Sequence, residues 1–105
     1  MIQSVNPWTQ EIIGEVASNS AKEVSACFAK SAKAFTTWSS LTSEERWEKL
    51  LPAKKYLMEN KSHLADLITQ EVGKPRWESD TEVGAMIAKF DAVYDAYQNR
   101  STQQA

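Results

Sequence analysis

The sequence predicts a mainly α fold, a small bundle of three main helices preceded by an N-terminal β-hairpin, in a single domain over 1–105. Three observations predict it. From Val24 onward apolar residues recur at three- and four-residue steps, the period of a helix face. Side-chain caps, Gly73 and Pro75 cut that periodic run into segments. The first 17 residues lack the period and instead carry β-branched residues on either side of an Asn-Pro pair.

The hairpin is expected over 1–17. Ile2, Ser4 and Val5 lead into Asn6-Pro7, where the proline ring fixes φ and disfavours helix for the residue before it. Glu11 to Val16 is β-branched enough to return as a second strand. Helical structure follows over 20–98. Ser18, Asn19 and Ser20 offer capping oxygens to the first helix, whose stripe is Val24, Phe28, Ser31, Phe35 and Trp38. Cys27 lies on or beside that stripe and is expected to be a small buried core residue.

The second helix opens at Thr42 or Ser43, where Thr42-Ser43-Glu44-Glu45 reads as a capping box and two acids complement the positive end of the helix dipole. Its apolar run from Trp47 through Leu50, Leu57, Leu64 and Ile68 to Val72 contains Pro52, which removes a backbone hydrogen bond, so a kink is expected near Glu48 to Leu51. Gly73 ends this helix and Pro75 fits the first turn of the next. The third helix lines up Val83, Met86, Ile87, Phe90, Tyr94 and Tyr97, and a frayed polar tail is expected over 99–105.

Composition excludes several functions. A chain of 105 residues can bury roughly two-thirds of the surface it exposes when unfolded. Hydrophobic content of 42% with ten aromatics is too rich for disorder. Net charge of −2 argues against nucleic acid as a partner, because phosphate binding needs clustered cations; Lys54-Lys55 reads as a solvated helix face. No apolar run approaches the ~20 residues that cross a bilayer, and no signal peptide precedes the first strand, so a soluble cytoplasmic protein without a membrane partner is expected. The single cysteine forms no internal disulfide, which fits a reducing compartment.

Chemistry-bearing constellations are scarce. His63 is the only histidine, and with one cysteine it cannot complete a zinc site of the usual N/S ligands. Glu44 and Glu45 are explained by the capping box, and Glu78 and Asp80 by the start of a helix, where acids are favoured. Three glycines build no phosphate-cradling loop. The residues therefore predict no catalytic, cofactor-binding or metal site, and no cofactor.

Several stretches carry a family resemblance. Gly73-Lys74-Pro75-Arg76-Trp77-Glu78 with Thr81-Glu82-Val83 and Ala85-Met86-Ile87 resembles the GKPxWEAxTEVxAMI segment of aldehyde dehydrogenases, most closely those acting on succinylglutamate semialdehyde. Asn6-Pro7-Trp8-Thr9-Gln10-Glu11-Ile12-Ile13-Gly14-Glu15-Val16 is similar to the NPxTGExIGEV signature near the N-terminus of that superfamily, and Phe35-Thr36-Thr37-Trp38 with Glu44-Glu45-Arg46 to its AFxxW…EER stretch. Gln10 stands where the pattern has Gly, a position that often needs positive φ, so a looser turn or another type is expected there. The resemblance implies the fold of the N-terminal part of such an enzyme. It also implies that the nucleophilic cysteine, the water-activating glutamate, the oxyanion-hole asparagine and the dinucleotide-binding strands lie downstream of everything matched here; that cysteine's role does not transfer to Cys27. It places Met86 near a substrate-tunnel position and Glu82 one turn before it, while the competing reading leaves Met86 as core.

Trp8 and Trp47 stand where the family pattern does not ask for tryptophan, and each closes the core or forms a subunit contact. Met1 directly ahead of the first matched strand and the polar ending favour an independent reading frame. The expected role is non-catalytic: a stand-alone module that self-associates as a homodimer through apolar helix faces. Two alternatives are kept. The chain is a fragment or subunit of an NAD(P)-dependent aldehyde dehydrogenase completed by a partner chain, or it binds a small apolar ligand between its helices.

Overall fold

The computed structural model describes residues 1–100. Strands β1 (Ile2–Val5) and β2 (Ile12–Val16) pair antiparallel, with Ile2 opposite Val16 and a register shift between Ser4 and Val5. Four helices follow: α1 (Ala21–Ser39), α2 (Ser43–Glu59), α3 (Lys61–Val72) and α4 (Arg76–Arg100). The mainly α fold with an N-terminal hairpin is as the sequence predicts, with one helix more. α4 also continues two residues past its expected end, so 99–100 of the tail expected over 99–105 are helical, and 101–105 lie outside the described residues.

Local chemistry sets the boundaries. In the hairpin loop, Asn6 Oδ1 accepts from the amides of Trp8 and Thr9, and the Gln10 amide donates to the Asn6 carbonyl. The loop keeps a left-handed residue at the position where the family pattern has Gly: Gln10 sits at φ 63° and donates from Nε2 to the Pro7 carbonyl. Left-handed backbone disfavours branched side chains, so Gln10→Val is expected to destabilise the hairpin by about 1–2 kcal/mol. Faster exchange of the loop amides with little change in the helices is the readout.

Full capping boxes open α1 and α2. Ser20 pairs reciprocally with Glu23, and Thr42 with Glu45. Donation from the Ser20 backbone and hydroxyl holds the Glu23 carboxyl below the usual range. The run read as one long helix is divided at Asn60, while Pro52 lies inside α2. Asn60 leaves the helical region at φ −108°, ψ 15°, and both its amide and its side-chain Nδ2 donate to the Tyr56 carbonyl, so the asparagine closes α2 locally. Gly73, at φ 77°, closes α3 in the left-handed conformation that the sequence requires of it.

α4 is long enough, at about 1.5 Å per residue, to run antiparallel along α3 and then α2. Thr69 meets Ser79, Lys61 meets Asp80, Lys54 meets Asp91 and Glu44 meets Gln98, a steady opposition of chain positions. The fully buried residues sit on the α3–α4 side of this assembly: Ala65, Val83 and Ser79, with the Ser79 and Thr69 hydroxyls 2.8 Å apart. Lys54, expected on a solvated face, is instead half-buried and bonds both oxygens of Asp91 at 2.7 Å.

α1 contributes nothing to that core. None of its residues is buried, and Phe28 and Phe35 are 74% and 65% exposed. Cys27, expected inside, is exposed, as are Val24 and Phe28 beside it on the α1 stripe. Dilute native protein should therefore react with a thiol reagent at nearly the rate of denatured protein; labelling slowed tenfold or more in dilute native protein would contradict the exposure. The shape is correspondingly open. The radius of gyration is 18.3 Å, where a compact domain of this length has about 13 Å. Accessible area is 8379 Å2, where a compact monomer of this mass exposes about 5,900 Å2.

Candidate interaction surface

Two features stand out on this open frame: a turn where hairpin and helices are tied together, and an apolar groove between α2 and α4. The turn joins the two motifs most distant in the chain. Trp8 Nε1 donates to the Gly73 carbonyl at 2.9 Å, and Ser4 Oγ donates to Glu71 at 2.7 Å, so the hairpin rests on the end of α3. Trp8 remains 81% exposed; its ring lies over Gly73 without closing a core.

Beyond that turn, α3 and α4 are laced by charge. Arg76 donates from Nε to Asp66 at 2.5 Å and from Nη2 to the Ser62 carbonyl and hydroxyl, and lies 3.6 Å from Asp80. Lys61 also reaches Asp80, at 3.0 Å, and Lys74 pairs with Glu82. The Arg76–Asp80 pair was available to sequence reading as an i,i+4 spacing; Asp66, on another helix, carried no such signal. The ammonium of Lys61, donating directly, holds the Asp80 carboxyl below the usual range, against a smaller opposing effect of burial. A carboxyl depressed in the folded state stabilises above its unfolded value, near 3.9, and that contribution disappears as pH falls through the lower folded value. Near neutral pH Asp80→Asn should accordingly be less stable than the wild type, with the difference shrinking as pH falls through the range where the Asp80 carboxyl takes its proton; a difference that does not change with pH would remove the Asp80 charge from the account.

The groove is built by the stripes of α2 and α4. Trp47 stacks on Tyr94 with ring centroids 4.6 Å apart and meets Phe90 at 6.3 Å, tilted by 56°. Leu50, Leu57, Met86 and Val93 extend the walls around a volume of about 570 Å3, and Arg46 and Lys89 bring the cations along it. Arg46 Nη2 donates to the Ser39 carbonyl, and its Nε is shielded from solvent without a hydrogen-bond partner. A second hollow of about 620 Å3 lies where Phe35 and Trp38 of α1 approach Leu41 and Lys49.

The residues singled out from sequence are distributed unevenly over these features. Met86 lies in the groove and is 46% exposed, whereas Glu82 is held by Lys74 and lies outside the groove lining. Trp47 is half-buried in the groove wall, and Trp8 is elsewhere. His63 is exposed, Glu44 and Glu45 serve the start of α2, and Asp80 is engaged by two cations. Glu44, bonded by Gln98 and then by its own turn, has its carboxyl lowered. Among the described residues no group of three or more His, Cys, Asp or Glu side chains is placed to hold a metal, and no helix is long and apolar enough to cross a membrane. What this arrangement can do chemically is bind apolar surface.

Comparison with known proteins agrees with the geometry. A family model for the aldehyde dehydrogenase family matches residues 1–105. The chain is 40% identical over 101 residues to N-succinylglutamate 5-semialdehyde dehydrogenase of Burkholderia thailandensis, and 39% to that of Burkholderia mallei. Each match takes in 96% of this chain and 21% of the relative, so the chain spans about a fifth of the length of these curated relatives. In fold it is similar to glyceraldehyde-3-phosphate dehydrogenase GapN from Methanocaldococcus jannaschii, a structure complexed with NADP, with a TM-score of 0.86 at 22% identity, covering 96% of this chain and 22% of that one. The hairpin seated on the Gly73 turn, the antiparallel helices behind it and the family match over the whole sequence place this chain in the aldehyde dehydrogenase family, corresponding to the N-terminal part of its members.

Proposed function

We propose that this chain is a non-catalytic segment of aldehyde dehydrogenase architecture that works by association, offering α1 and the α2–α4 groove to another polypeptide surface. The observation supporting this reading is area: the chain exposes on the order of 2,000 Å2 more than a compact monomer of its mass. Large apolar side chains are among what is exposed, Phe28, Phe35 and Met86 included, and contiguous apolar patches mark interaction sites. Nothing in the groove is a nucleophile with a base beside it, and its cations stand among aromatic walls. Alone, the chain is expected neither to oxidise aldehydes nor to bind NAD or NADP, which titration calorimetry with both dinucleotides checks.

A second reading names the covering surface as the body of an aldehyde dehydrogenase, and the partial coverage of the relatives favours it. In that case the partner brings the cysteine and the dinucleotide domain, and the substrate class is that of the named relatives, N-succinylglutamate 5-semialdehyde. The test is complementation. The Burkholderia thailandensis enzyme, lacking the segment matched here, is co-expressed with this chain. Co-purification with dinucleotide-dependent oxidation of N-succinylglutamate 5-semialdehyde supports the second reading. A folded chain that binds neither that body nor itself overturns the association reading altogether.

A further inference from the structure

We draw no further inference here: the strongest candidate, the apolar groove between α2 and α4 together with the bare stripe of α1, carries nothing beyond the reading above, because nothing in the structure shows what covers it.

Discussion

Gly73→Ala is expected to lower the unfolding free energy by about 2–3 kcal/mol and to release the hairpin from the helices. Two independent costs add. An L-residue at φ 77° pays about 1–2 kcal/mol for left-handed backbone that glycine adopts freely. The new methyl would also stand 2.8 Å from Pro7 Cγ and from Trp8 Nε1, and 3.0 Å from Trp8 Cδ1. The hairpin must move away, and with it goes the hydrogen bond from Trp8 to the Gly73 carbonyl, about 1 kcal/mol of net stabilisation. A two-stranded hairpin without such support is marginal in water, so its amide protection should collapse while the helices persist. Trp8→Ala in the same background supplies the check. With the indole gone, Gly73→Ala should cost less than it does in the wild type, a non-additivity expected of groups in contact. Strictly additive costs would mean that the strain is all backbone.

Much of this turn was legible in advance, and the reason is physical. Asn6-Pro7, the capping oxygens ahead of α1, the capping box of α2, Gly73 and Pro75 act through their immediate neighbours, so their consequences are written in four or five residues. Even the departure at Gln10 was visible as an oddity. The backbone nevertheless retains the left-handed geometry that glycine usually supplies, with Gln10 donating from its amide to the Asn6 carbonyl and from its side chain to the Pro7 carbonyl. The division at Asn60 was not legible: apolar periodicity runs from α2 into α3 without a break, and the decisive competition of the Asn60 side chain for the Tyr56 carbonyl has no periodic signature.

Long-range partners were also hidden. Trp47 and Tyr94 were each readable as stripe residues, but their stacking depends on the register of α4 against α2, which no single segment encodes. The same holds for Arg76, whose ties to Asp66 and Ser62 bind α4 to α3. α1 gives the sharper lesson. Its stripe has the pattern of a core-facing helix, and the expectation of a buried Cys27 followed from that pattern. Periodicity reports which face is fit to be covered; what covers it is a separate fact, and here α1 is left bare. The groove was foreshadowed by Met86 and Trp47, while Glu82, which the family resemblance placed one turn before Met86, belongs to the ion pair with Lys74.

Val83→Asp should abolish the helical fold, an effect of about 4 kcal/mol or more. Val83 is 0% exposed and, with Ala65 and Ser79, forms the small region from which solvent is fully excluded. The nearby hydroxyls of Ser79 and Thr69 already engage each other, so an ionised carboxylate there would face desolvation without a dedicated cation, and a protonated one would still bury polar atoms with few partners. The loss of the valine's own burial adds about 1–2 kcal/mol, which Val83→Ala isolates. A domain of ordinary compactness holds about 5–15 kcal/mol in reserve, and a chain this open, with a core this small, belongs at the lower end. The substitution therefore consumes most or all of its stability. Phe28→Asp is the matched control: the same change of character on a residue 74% exposed should shift the stability of dilute protein by no more than about 0.5 kcal/mol. Circular dichroism and urea titration of both variants at low concentration decide the matter. Helicity and midpoint retained in Val83→Asp would place the energetic centre of the fold somewhere other than the α3–α4 packing, and a large loss in Phe28→Asp would mean that α1 is already covered within a single chain.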